Sequence, residues 1–87
     1  MNKQRTFRRI TERELYVVNQ DILKKFGSSK QITSGSCGIN ADGKRVYHIT
    51  MADVCSYKPF VELQKIGSEF KKIFGANEVY YLGMKIA

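Results

Sequence analysis

Apolar residues recur at spacings of three and four along the first third of the chain: Leu15, Val18, Ile22 and Phe26. Charged and amide side chains fill the gaps, so this is one stripe of an amphipathic helix. Thr11-Glu12-Arg13-Glu14 supplies a capping box, with Ile10 and Leu15 placed to staple the helix start. Lys24 and Lys25 suit the last turn, where the helix dipole favours cations, and Gly27 suits the position just beyond it. These signals predict a helix over about residues 12–26. Leu63, Ile66, Phe70 and Ile73 repeat the pattern, with Phe60 and Phe74 widening the stripe. Pro59 fits a first turn and Gly75 an end, so a second helix is expected over about 58–74. Gly67 inside it weakens the helix and leaves room for another element to approach. Thr50 to Asp53 reads as a further cap, opening a short helical turn before Pro59.

Between the helices the period changes to two. Residues 31–39 are rich in Thr, Ser and Gly, and residues 45–51, RVYHITM, are β-branched and aromatic. Asp42-Gly43 lies between them, a pair suited to a type I′ hairpin turn. That turn pairs Ile39 with Val46 and Cys37 with His48. Residues 78–86, EVYYLGMKI, read as a third strand. Its alternation puts Tyr80, Leu82, Met84 and Ile86 on one face and Val79, Tyr81 and Lys85 on the other. The expected class is α+β, in the order α-β-β-α-β. The sheet is three-stranded and mostly antiparallel, with two helices on one face. A right-handed crossover through the second helix returns the last strand to lie beside the first. Tyr47, Ile49 and Met51 would then share the covered face with Leu82 and Met84. Residues 1–10 form a basic N-terminal arm, and residues 11–87 form a single domain without internal repeats.

Size and composition narrow the partners. Eighty-seven residues build one small core, marginal enough that a homodimer is compatible with it. No run is long and apolar enough to span a membrane. The start, MNKQRTFRRITER, lacks the apolar core of a secretory signal, so a cytoplasmic protein is expected. Cys37 and Cys55 then read as two reduced thiols. With a single histidine and no close cysteine pair, neither a metal nor another cofactor is expected.

Residues 38–45, GINADGKR, match most of the phosphate-cradling loop G-x-x-x-x-G-K-[ST]. That loop needs a Ser or Thr after the lysine and a helix behind it. Here Arg45 follows Lys44 and a strand follows Arg45, so the match is a hairpin turn. Catalysis is not expected either. His48 opposite Cys37 reads as a cross-strand neighbour, with no third residue to orient the imidazole. The carboxylates are spread among lysines on helix faces.

Charge is the most informative feature. Fifteen basic residues against eight acidic ones give a net charge of +7. Residues 1–30 hold eight of the basic groups and three of the acidic, a net of +5. A polyanion is the natural partner. Lys3, Arg5, Arg8 and Arg9 in the arm, and Lys44 and Arg45 at the hairpin tip, are the expected phosphate contacts. Lys24, Lys25 and Lys30 form a third basic group. His48, Val46 and Tyr81 would lie on the uncovered sheet face, with Tyr81 and Tyr47 as stacking candidates. The expectation is a small non-catalytic nucleic-acid-binding protein, RNA favoured over DNA, acting as a regulator. The alternative is a small inhibitor or adaptor that docks on a protein or a protein–RNA complex, of the kind phage and mobile elements encode. Ile39, Val46 and Val79 would then form its interface.

Overall fold

A computed structural model describes residues 6–87. The chain runs through β1 (Thr6–Arg9), α1 (Glu12–Phe26), a short 3-10 turn (Ser28–Lys30), β2 (Ile32–Ile39), β3 (Arg45–Met51), α2 (Phe60–Phe74), β4 (Glu78–Tyr81) and β5 (Met84–Lys85). The class is α+β, as expected, but the sheet has five strands in the order β1-β2-β3-β4-β5 and is mixed. Three neighbouring pairs are antiparallel, while β3 and β4 run parallel.

Both helices form where the apolar stripes lie. The Glu14 amide donates to the Thr11 hydroxyl at 3.1 Å, and the Thr11 amide donates to the Glu14 carboxylate at 2.9 Å. The capping box is therefore complete. Val18 and Ile22 of α1 meet Leu63, Ile66 and Phe70 of α2 in one core. The sheet contributes Cys37, Tyr47, Ile49, Met51, Val79 and Tyr81 to it. Tyr47 packs its ring on Phe70 and Phe74, at centroid distances of 5.4 and 5.5 Å. Phe70 is fully buried, and a side chain of that size contributes roughly 1.5–3 kcal/mol relative to exposure. The Asn19 side chain ties α1 to the start of β2. It accepts from the Ile32 amide at 2.7 Å and donates to the Ile32 carbonyl at 2.8 Å.

Two glycines are required by close approach. A Cβ on Gly35 would lie 2.5 Å from the His48 carbonyl oxygen and 2.7 Å from Ile10 Cδ1. Ile10 crosses β2 there, its amide donating to the Gly35 carbonyl at 2.9 Å. A Cβ on Gly67 would lie 2.5 Å from Ala87 Cβ, because the C-terminal residues lie against α2 at that point.

Four expectations are corrected. First, residues 6–9 of the arm are a strand, and they occupy the place beside β2 expected for the last strand. The last strand pairs with β3 instead, in parallel, through α2. Second, the hairpin loop carries one residue more than a type I′ turn. The Asn40 amide donates to the Lys44 carbonyl, and the Gly43 amide to the Asn40 carbonyl, with Gly43 at φ 80°. The Asn40 side chain also accepts from the Asp42 and Lys44 amides at 2.9 Å. The extra residue shifts the register, so Ile39 pairs with Arg45 and Cys37 with Tyr47. A one-residue slip exchanges faces, which separates Cys37 from His48 across the sheet.

Third, the last strand is two. Leu82 and Gly83 both have positive φ, 52° and 81°, as a two-residue I′ turn demands. Met84 and Lys85 therefore fold back on Tyr81 and Tyr80. Val79 and Tyr81 face the helices, while Leu82 and Met84, expected in the core, are exposed. Fourth, β3 continues to Met51 and no helical turn follows it. Asp53 instead takes φ 52°, and the buried Lys58 ammonium donates to the Asp53 carbonyl and the Ser56 hydroxyl.

Candidate nucleic-acid interface

With both helices on one face, alternation settles what the other face carries. Phe7 and Arg9 of β1 sit opposite Gly38 and Ser36 of β2. Ser36 and Gly38 sit opposite His48 and Val46 of β3, which in turn adjoin Tyr80 and Glu78 of β4. Lys85 of β5 pairs with Tyr80. An aromatic row therefore runs from β1 over β2 to β3 and β4. The Phe7 and His48 rings are 6.0 Å apart and tilted, and the His48 and Tyr80 rings are 5.0 Å apart and stacked. Small residues of β2 lie under this row, so the rings close over that strand rather than being held apart by it.

Two shallow grooves flank His48. One, of about 420 Å³, is floored by Phe7, Val46, His48 and Tyr80 and rimmed by Asp42 and Glu78. The other, of about 360 Å³, is lined by Arg9, Ser34, Ser36, His48 and Thr50. The Tyr80 hydroxyl donates to the Glu78 carboxylate at 3.2 Å. Burial and that carboxylate raise the Tyr80 pKa, which keeps the hydroxyl a donor. Lys44 and Lys85 approach the same carboxylate at 3.9 and 3.8 Å. Both lysines are more than half exposed, so their charge remains available to a ligand.

The expected site residues divide. Lys3 and Arg5 lie outside the described residues. Arg9, Lys44 and Arg45 are exposed; Arg9 lies on the open face and Lys44 at its hairpin end, whereas Arg45, in phase with Tyr47 along β3, is directed to the helix side and leaves the expected pair. Arg8 points to the helix side and forms a two-pronged bond to Glu14, at 2.9 and 2.8 Å. That bond holds the Glu14 carboxyl down at about 2. Lys24 is exposed on α1. Lys25 is bonded to Glu69 at 3.1 Å, and Lys30 to Glu62 at 3.2 Å, so both tie α1 and its following turn to α2. This third basic group belongs to the helix layer and does not join the others.

Tyr81, expected on the open face, is 5% exposed and part of the core, as is Tyr47. Burial pushes the Tyr47 hydroxyl up to about 12. Val79, assigned to an interface in the alternative reading, is also core, and Val46 is largely covered within the open face. Tyr80 takes the place expected for Tyr81. Phe7 joins the row because β1 is a strand, which charge alone could not signal.

Among the described residues, no helix is long and apolar enough to cross a membrane, and no three His, Cys, Asp or Glu side chains gather as a metal site. No protein-family model, curated protein or solved structure matches the chain.

Proposed function

We propose that the protein is a small non-catalytic cytoplasmic regulator that binds nucleic acid, RNA in preference to DNA, across the open face of its sheet. The observation that carries this reading is the Phe7–His48–Tyr80 row, bordered by Arg9 on one side and Lys44 and Lys85 on the other. Bases stack on aromatic rings with little sequence demand, and lysine and arginine neutralise the phosphates between them. The net charge of +7 favours the encounter. Lys3 and Arg5 precede β1 in sequence and would add phosphate contacts. No catalytic step is included: the aromatic neighbours of His48 are Phe7 and Tyr80, and Cys37 lies on the opposite face.

A second reading has its own support. Val54, Tyr57, Phe60 and Val61 are all exposed within eight residues around the start of α2, Tyr57 at 85%. Such a patch suits an adaptor docking on a protein.

Fluorescence anisotropy with labelled single-stranded RNA, duplex RNA and duplex DNA, at about 50 and about 200 mM salt, tests the first reading. Single-stranded RNA should bind tightest, and affinity should fall steeply with salt. Tyr80→Ala should weaken it by about 5- to 150-fold, the range of one lost stacking contact. Equal, weak binding of all three, abolished at the higher salt and indifferent to Tyr80→Ala, would refute it.

A further inference from the structure

The two grooves beside His48 differ in chemistry. The first has a largely aromatic floor and carboxylates at its rim, Asp42 at the hairpin tip and Glu78 at the start of β4, beside Asn40, whose side-chain oxygen is held by the Asp42 and Lys44 amides. The second has a guanidinium and three hydroxyls, from Arg9, Ser34, Ser36 and Thr50, and no carboxylate. In the first groove the carboxylates offer a phosphate no donor, and the lysines beside it, Lys44 and Lys85, lie against Glu78; in the second, the arginine and hydroxyls all donate, so a phosphate is better satisfied there. A base fits the first groove, where rings meet its face and carboxylates meet its edge. His48 lines both grooves, so base and phosphate would lie on either side of one imidazole.

The rim carboxylates only accept hydrogen bonds. Among the four RNA bases, guanine alone presents two adjacent donors on its Watson–Crick edge, the ring N1–H and the exocyclic amine. A carboxylate accepts both at once. Adenine and cytosine offer one exocyclic amine beside an acceptor nitrogen, and uracil one N–H between two carbonyls. These would turn an acceptor toward the carboxylate. Pairing also hides this edge, so the groove is served only by an unpaired base.

From this segregation of charge we propose that the open face selects an unpaired guanine in single-stranded RNA, with its edge on the Asp42 and Glu78 carboxylates and a neighbouring phosphate on Arg9 and the β2–β3 hydroxyls. The proposal rests on the nucleic-acid reading above and narrows it. Glu78 is placed for the role by its surroundings. Tyr80 donates to one carboxylate oxygen, and Lys44 and Lys85 lie near the other, which holds the group in position at the groove rim. Carboxylate oxygens have lone pairs to spare beyond these contacts.

The test uses labelled seven-residue oligouridylates carrying one central guanosine, adenosine, cytidine or uridine, and the deoxy guanosine counterpart. A single guanosine avoids quadruplex formation. The guanosine RNA should bind at least about fivefold tighter than the other three, the lower end of discrimination by one two-pronged contact. Asp42→Asn and Glu78→Gln, each checked for folding by circular dichroism, should reduce that ratio. Asp42 is exposed at a loop tip, so its variant keeps the test valid even if Glu78→Gln disturbs β4. Arg9→Ala should lower affinity for all four RNAs alike and leave the ratio intact. Equal binding of the four bases overturns the guanine assignment and leaves the nucleic-acid reading standing. A preference for another base, a guanine preference indifferent to both carboxylate variants, or tighter binding of the deoxy oligomer also overturns it. Failure of every oligomer to bind overturns both.

Discussion

Replacing Glu14 by Gln removes one negative charge from the joint between β1 and α1 and little else. Gln retains an oxygen that can accept from the Thr11 amide, so the capping geometry survives. What is lost is the two-pronged bond to Arg8. The Glu14 carboxyl is lowered from 4.5 to about 2, first by its hydrogen bond to Arg8 and then by the Thr11 bonds. Unscreened, a depression of that size would correspond to about 3 kcal/mol of folding free energy. The Arg8 side chain is 53% exposed, however, and solvent screens the pair. A realistic contribution is about 1 kcal/mol, the upper range for an exposed ion pair of good geometry. The sign is set by the depressed carboxyl. Its stabilisation is fully present above about 4.5 and is lost as pH falls through about 2. Glu14→Gln should therefore lower Tm at pH 7 by about 4–8 °C, as expected for about 1 kcal/mol in a domain of this size. The gap between variant and wild type should narrow steadily below pH 4. Thermal unfolding followed by circular dichroism across pH 2–7 measures both. Equal stability at pH 7, or a gap that persists unchanged at pH 2, would refute the assigned role of the Arg8–Glu14 bond.

Other substitutions test the packing. The Tyr81 hydroxyl is buried without a hydrogen-bond partner, so Tyr81→Phe should be neutral or stabilise by about 1 kcal/mol in urea unfolding. A loss above that value would mean that the hydroxyl is satisfied. Gly67→Ala should destabilise by about 1–3 kcal/mol, although helix propensity alone favours alanine. Deleting Ala87 should reduce that cost, because Ala87 Cβ is the atom in the way. An unchanged cost after the deletion would assign the penalty elsewhere.

The helices were legible because capping and periodicity are local. Thr11 to Glu14 and the Leu15–Phe26 stripe needed nothing beyond their own segment. The sheet was less so, because its faces depend on counting single residues through turns. Asp42-Gly43 marked the hairpin, but the Asn40 side chain, bonding to two amides of the loop, holds a loop one residue longer than the I′ form. In EVYYLGMKI both phases carry a tyrosine, so alternation could not choose between Tyr80 and Tyr81. The choice is made by the turn at Leu82, a bulky residue at positive φ that composition does not advertise. Residues 6–9 read as a charged arm because their partner strand is distant in sequence. For the same reason the place of Val46 and His48 on the open face was legible, while Phe7 and Tyr80 beside them were not.

The central claim is that the open sheet face, and not the helix layer, meets nucleic acid. Titrating isotope-labelled protein with single-stranded RNA and following its amide and ring resonances tests this most directly. The account predicts shifts concentrated at Phe7, Arg9, Ser36, His48 and Tyr80, with Lys24, Lys25 and Lys30 of the helix layer unmoved. Shifts centred on the helices, or on Tyr57 and Phe60, would contradict it.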